Sequence, residues 1–377
     1  MKRTLIAALV GVSLGANAAS WDDLTISGFG SVGLGKSDNA VGYAGYTDEK
    51  LDWEQETLAG LQFDFRINDR AKFVTQVVAN SRYDYEPKFE MAYAAYEFDS
   101  FTARAGKLRL PLFFYSDFTD VGYAYPMIRP SQEVYENIVL KGYTGADLLI
   151  PVQLGNSTLL FQPVVGIAVI DEDDSVIGEV DLDNMYGLTA QWIYNDFMLR
   201  GSYFAAEANT TCSVSSANDF CQTGKNMVDG KDGQFISIGA QYDNGDLLAN
   251  IEAADVQIDG QFYDYRSVSG LVGYRIGDFT PYLAAGWVET TDNDEREYTN
   301  VPEYNALMFG MNYERLSYSI GSRWDFAKNM ALKLDVTYVD YKDTSGGSVD
   351  NVGFDGSKPV SLEDSSLVYS ARLDFVF

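Results

Sequence analysis

Four carboxylates and two guanidiniums share one unusual stretch of this chain. Asp117, Asp120, Glu133 and Glu136 lie with Arg109 and Arg129 between positions 109 and 137, where there is no lysine. From Arg109 to Pro130 the stretch reads RLPLFFYSDFTDVGYAYPMIRP, too apolar and aromatic for an ordinary solvated loop. It lacks the steady alternation of a strand and the 3.6-residue period of a helix. The chain contains no histidine, which removes Ser-His-Asp and Cys-His catalysis and the usual zinc sites. No enzymatic reading follows. Fixed opposite charges on a stiff loop can instead set up an electric field that orients polar solutes and disfavours apolar ones. Pro111, Pro126 and Pro130 supply the stiffness by fixing φ and removing donors, and Gly122 permits a turn.

Such a loop needs a frame, and the frame is written in period two. Tyr369, Ala371, Leu373, Phe375 and Phe377 alternate with Ser370, Arg372, Asp374 and Val376 at the C-terminus. Leu332, Leu334, Val336 and Tyr338 alternate with Lys333, Asp335 and Thr337, and Leu61, Phe63 and Phe65 with Gln62, Asp64 and Arg66. A soluble β-sandwich also alternates. These segments, however, mostly run ten to fourteen residues, where soluble strands average about five or six. They carry aromatic residues toward their ends and are joined by alternately short and long connections, as in outer-membrane barrels.

The spacing predicts strands at 23–34, 55–67, 71–80, 88–98, 100–108, 138–151, 157–170, 181–195, 196–205, 234–243, 246–258, 262–276, 278–290, 315–327, 329–342 and 366–377. Sixteen is an even number, as a barrel with both termini on one side requires. Closure is required because an open edge in lipid leaves backbone groups unpaired. A sixteen-stranded barrel is wide enough to hold water. The expected architecture is therefore an all-β, sixteen-stranded antiparallel transmembrane barrel over residues 19–377, with residues about 109–137 as its third long loop.

Residues 1–18 read as a secretory signal: Lys2 and Arg3, an apolar run from Leu5 to Leu14, and Ala16-Asn17-Ala18 before the cleavage point. Cys212 and Cys221, close together in a polar stretch of an exported chain, read as a disulfide, with two free thiols as the alternative. The formal charge of −28 argues against a nucleic-acid partner. Most of the acidity falls in external connections such as Asp171-Glu172-Asp173-Asp174 and the run from Asp292 to Glu297. Hard oxygen ligands there suit loosely held calcium or magnesium shared with lipopolysaccharide phosphates, or are plain solvated loops; there is no EF-hand spacing and no resident cofactor is expected.

The chain resembles the Gram-negative outer-membrane porins over essentially all of its length. The carriers are the signal segment, the sixteen alternating segments and the C-terminal Phe377 preceded by Tyr369 and Phe375, which resembles the signal read by the barrel-assembly machinery. The stretch RAGKLRLPLFFYSDFTDVGYAYPMIRP is similar to one in porins of marine γ-proteobacteria, distantly akin to phosphate-selective porins. The resemblance implies an outer-membrane homotrimer in lipid and lipopolysaccharide, one pore per subunit, passing small hydrophilic solutes. It also implies that the third loop folds back into the barrel and narrows it.

On that reading Arg109, Asp117, Asp120, Arg129, Glu133 and Glu136 form the constriction. The inner wall opposite carries Arg66, Lys72, Arg104, Arg200, Arg266, Arg323, Lys333 and Arg372, mixed with Asp64, Glu90, Asp325, Asp335 and Asp374. Each wall cation has the plainer role of a salt bridge to a neighbouring carboxylate open to it. The loop is net acidic, which favours a weakly cation-preferring or non-selective pore over a phosphate-type channel. A substrate-specific channel with an aromatic slide is a rival of the same class. A non-conducting surface receptor or adhesin barrel is the rival of a different class.

Overall fold

An unpaired strand edge in lipid costs several kcal/mol per backbone group, and the barrel strands leave none. The computed structural model describes residues 19–21, 23–136, 140–170, 179–211, 228–296, 302–356 and 358–377. Its barrel strands are β1 (Leu24–Ser37), β2 (Leu58–Arg66), β3 (Ala71–Asn80), β4 (Pro87–Glu97), β5 (Thr102–Arg109), β6 (Gly142–Leu154), β7 (Ser157–Ile170) and β8 (Glu179–Tyr194). They continue as β9 (Phe197–Thr211), β10 (Lys231–Asp243), β11 (Leu247–Ile258), β12 (Tyr265–Tyr274), β13 (Phe279–Thr290), β14 (Glu314–Ala327), β15 (Met330–Asp340) and β16 (Ser365–Val376). Each pairs antiparallel with its chain neighbours, and β16 closes the ring on β1 from Val368↔Ser37 to Val376↔Phe29.

All sixteen expected strands are present, because period two is a local signal and the turns that punctuate it are also local. Asn195, Gly245, Gly277 and Asn329 take positive φ in four of the tight turns that follow even-numbered strands. Long connections follow most odd-numbered strands; they include 38–57, 110–141, 291–313 and 341–364. The fourth of these carries a two-stranded ribbon (Val352–Asp355 with Lys358–Ser361), and the third a short helix, α1 (Pro302–Gly310). The leader, Cys212 and Cys221, and the acidic run at 171–174 lie outside the described residues.

The outer wall is apolar. Ile320 is 62% exposed on β14, with Tyr318 and Trp324 on the same face, while Leu334 and Tyr338 do the same on β15. The intervening Lys333, Asp335 and Val339 are buried inside. Stacked pairs such as Phe279–Trp324 and Trp192–Tyr194 sit beside the tight turns, where interface girdles belong.

The C-terminal aromatics close the seam. Phe377 and Gly28 exchange backbone hydrogen bonds at 2.9 and 3.0 Å. The rings of Phe375 and Phe377 occupy the space that a Cβ at Gly30 and Gly28 would need. Gly30→Val should therefore displace Phe375 and lower the yield of heat-resistant folded barrel on refolding; an unchanged yield and melting temperature would refute this packing role.

The bore is not uniformly open. Inward residues of β6–β13, including Tyr143, Val164, Phe204, Phe235, Tyr265 and Val288, pack with Leu110, Leu112, Phe113 and Val134 of the connection 110–141 into one apolar cluster. Water is thus displaced from one side of the barrel by side chains of its own wall and loop.

Candidate functional site

Irregular backbone at membrane depth is tolerated only when its polar groups are satisfied inside the protein. The segment 110–141 meets this condition through the wall. Arg200 Nη2 donates to the Pro111 carbonyl at 2.6 Å, joined by Thr189 Oγ1 at 2.9 Å, and Ser237 Oγ donates to the Leu112 carbonyl at 2.8 Å. Lys333 Nζ donates to the Gly122 and Met127 carbonyls at 2.6 and 2.8 Å. Arg323 Nη1 donates to the Tyr123 carbonyl at 2.6 Å, and Arg372 Nη1 to that of Ile128 at 2.8 Å.

Four cations of the expected basic wall therefore grip the loop backbone. Gly122 makes the close approach feasible, since a Cβ there would meet the Arg372 guanidinium and the Asp374 carboxylate. Glu252 on β11 ties both ends of the loop: it accepts from the Phe114 amide at 2.7 Å and from the Tyr135 hydroxyl at 2.5 Å. At the tip, Val121 packs with Phe29, Leu58, Val78 and Val376 of the opposite wall.

The loop's own charges are mostly paired. Glu133, fully buried, accepts from Arg315 Nε at 3.0 Å, Ser317 Oγ at 2.8 Å, Ser131 Oγ at 2.8 Å and Tyr43 Oη at 2.9 Å. Arg129 pairs with Glu56 at 2.5 Å, and Arg372 Nη1 reaches the other Glu56 oxygen at 2.9 Å. Asp120 pairs with Arg109, which also lies 3.2 Å from Glu90. Glu136 stands 3.8 Å from Arg82. Asp117 forms no ion pair among the described residues and lines the main cavity.

Burial alone would raise the carboxyls of Asp120, Glu56 and Glu133. Each is nonetheless held below the usual carboxylate range: Asp120 chiefly by Arg109 and Lys141, Glu56 by Arg129 and Arg372, and Glu133 by Arg315 and the two serine hydroxyls.

On the wall, Arg104 makes a two-pronged pair with Asp147 at 2.8 and 2.5 Å and lies 5.5 Å over the Tyr93 ring. Arg323 also pairs with Asp325 at 2.7 Å, and Lys333 with Asp374 at 2.9 Å. Arg66 faces Lys72 across the β2–β3 register near the tight turns, and Lys72 lines the main cavity beside Asp64.

Arg266 does not join the inner wall. It shares strand parity with the exposed Val272 and Tyr274, and its Nε meets Asp255 on the outer face at 2.6 Å. The error was avoidable, because positions 266, 268, 272 and 274 already alternate as one face in the sequence. Reasoning from sequence also passed over Glu56, Glu252 and Arg315. Parity with Ser317 and Ser319 places Arg315 inward, and parity with Leu248 and Asn250 does the same for Glu252. Glu56 lies in a loop and offers no such signal.

Two of the spaces beside the loop lie on opposite sides of it. A cavity of about 690 Å³ on the side of the tight turns is lined by Gln62, Asp64, Lys72 and Tyr93 of the wall and by Asp117 and Tyr123 of the loop. On the other side, a slot of about 80 Å³ is lined by Asn80, Arg82, Asp120, Glu136 and Lys141. Tyr125 borders both, with its hydroxyl donated to the Thr119 carbonyl at 2.8 Å. The Arg109–Asp120 pair lies across the same partition, Arg109 toward the cavity and Asp120 toward the slot.

No protein-family model and no curated protein matches the sequence. Solved structures do match the fold. The in-vitro folded outer-membrane protein OmpT of Vibrio cholerae, in its trimer form, aligns over 94% of this chain and 99% of its own at 11% identity and a TM-score of 0.56. The anion-selective porin from Comamonas acidovorans aligns over 94% and 99% at 11% identity and a TM-score of 0.59. Salmonella typhi OmpF, solved with daunomycin, aligns over 94% and 97% at 11% identity and a TM-score of 0.58. With its closed ring of sixteen strands and its apolar outer wall, this chain has the fold of the outer-membrane porin barrels.

Proposed function

We propose that the protein is a porin of the Gram-negative outer membrane, through which small hydrophilic solutes and ions diffuse passively. The observation that carries the reading is the closed barrel with a cavity of about 690 Å³ ending at a clamped inner loop. The solved neighbours of the same fold include porins and outer-membrane channels, which supports it. The trimer form of the Vibrio cholerae neighbour supports a homotrimer. Signal cleavage, delivery to the barrel-assembly machinery and a setting of lipid and lipopolysaccharide are proposed from the sequence resemblance alone.

Arg109, Asp117, Asp120 and Arg129 are proposed as the constriction, with Glu133 and Glu136 holding the loop's far end. Most of the charges at this level neutralise one another in pairs, which leaves little net field. Asp117 and Asp64 against Lys72 set the remainder in the main cavity, and this favours a mild preference for cations. Among the described residues no group of three or more histidine, cysteine or acidic side chains is placed to hold a metal ion. Calcium and magnesium are accordingly proposed only as a diffuse atmosphere at the acidic external loops.

Single-channel recording from the refolded protein in planar bilayers, with reversal potential under a salt gradient, tests this reading. Current steps in groups of three with a mild cation preference are expected. Strong anion preference would return an anion-specific channel to first place, and a folded but silent protein would leave a surface receptor or adhesin.

A further inference from the structure

The partition between slot and cavity has its own chemistry. Arg109 is 2% exposed at its side chain and faces two carboxylates, Asp120 and Glu90. Both contacts use the same nitrogen, Nη2. Arg109 Nε and Nη1 reach no acceptor among the described residues although both are buried. Glu90 is present because of a bulge: Gln76↔Met91 and Val77↔Phe89 are paired across β3 and β4, and Glu90 is the extra residue between them. The site thus holds unused donors on the guanidinium beside two carboxylates that share one donor atom.

We propose that this partition is a recognition site for small zwitterionic solutes, α-amino acids in the first instance, on a path through the channel proposed above. The solute carboxylate takes the free Nε and Nη1 donors of Arg109, and its ammonium group takes Asp120 and Glu90. The selectivity follows from how buried ion pairs respond to exchange. Removing one partner strands the other charge in a dry site, whereas exchanging both at once leaves none bare. An anion alone would take the free donors but set a third carboxylate beside Asp120 and Glu90, with one guanidinium among the three. A cation alone would leave Arg109 without its counterion. A neutral molecule would have to part the pair without replacing it. The slot that leads to the site is mixed in the same way, with Arg82 and Lys141 beside Glu136, so it favours neither sign on approach.

The experiment is efflux from proteoliposomes of four labelled solutes of one shape: L-alanine, lactate, L-alaninamide and lactamide. Wild-type protein should release alanine about tenfold faster than lactamide, the factor expected from one net charge-assisted contact, with both singly charged solutes slower than alanine. Arg109→Gln should bring alanine down to the lactamide rate. Equal rates for alanine and lactamide in wild type would overturn the proposal, as would lactate or alaninamide moving faster than alanine, or a retained alanine preference in a conducting Arg109→Gln channel. The wild-type ranking stands as a test even if that variant does not fold. Potassium chloride conductance separates the two readings: conductance without alanine preference refutes the site alone, and no conductance refutes the site and the porin together.

Discussion

Replacing Lys333 with methionine is expected to loosen the inner loop, raising single-channel conductance and noise and lowering the melting temperature. Lys333 is 0% exposed, and methionine has nearly its length without the charge. The change leaves the Gly122 and Met127 carbonyls without the donor they share and removes one of the two cations on Asp374. A buried carbonyl left unpaired costs about 1–3 kcal/mol, and breaking a buried ion pair on one side about 3–5 kcal/mol. Asp374 keeps Arg372 at 2.8 Å and Ser31 at 2.6 Å, which puts the total near the lower end of those ranges. Even about 3 kcal/mol shifts the docked-to-undocked ratio of the loop by roughly a hundredfold. The tethers from Arg372 and Arg323 to the Ile128 and Tyr123 carbonyls persist, so the tip should fluctuate rather than leave the bore. Lys72→Met is the matching control, because Lys72 lines the cavity without an ion pair among the described residues. It should leave stability unchanged and shift reversal potential toward cations. If Lys333→Met conducts and melts like wild type, the wall cations do not hold the loop.

The barrel was legible in the sequence because everything that specifies it is local. Alternation such as that from Tyr369 to Phe377, and turn residues such as Asn329 and Gly245, act within a few positions of themselves. The loop stood out for a related reason, since a run as aromatic as LFFYSDF needs cover. What it touches was not legible. Lys333 meets Gly122 across 211 positions and Arg372 meets Glu56 across 316, and neither distance leaves a trace in a single sequence. Charge counts therefore suggested an acidic loop facing a basic wall across water, whereas the same residues are largely spent on one another. Arg266 is a different case: its parity with Val272 and Tyr274 is readable in the sequence and places it on the outer face. The bulge that adds Glu90 beside Arg109 also lay beyond reading, because bulges follow from pairing rather than from residue type.

Acid should open the clamp, and the window follows from the carboxylates that hold it. Asp120, Glu56 and Glu133 are each held below the ordinary range by the cations around them. Unperturbed values are about 3.9 for aspartate and 4.3 for glutamate. A carboxyl whose folded value is depressed adds stability that is complete above its unfolded value and is lost as pH falls through the folded one. The part of loop docking that Asp120, Glu56 and Glu133 hold should thus be flat from neutrality down to about pH 5 and be lost only below about pH 4. The alkaline side has the opposite sign. Burial pushes the Tyr43 phenol well above its usual value and Tyr46 up to about 12. A raised folded value gives stability that is present below the unfolded value and lost as pH climbs past it, so the contribution of these two phenols should hold up to about pH 10. Glu133→Gln provides the internal test. Its amide accepts fewer bonds from Arg315, Ser317, Ser131 and Tyr43 and leaves Arg315 without a counterion, so the loop should already be loosened at neutral pH, with a weaker acid transition. Conductance recorded from pH 8 to pH 3 on both proteins decides the matter. A wild-type transition centred above pH 5, or an identical acid response in Glu133→Gln, would mean that these buried carboxylates do not govern the loop.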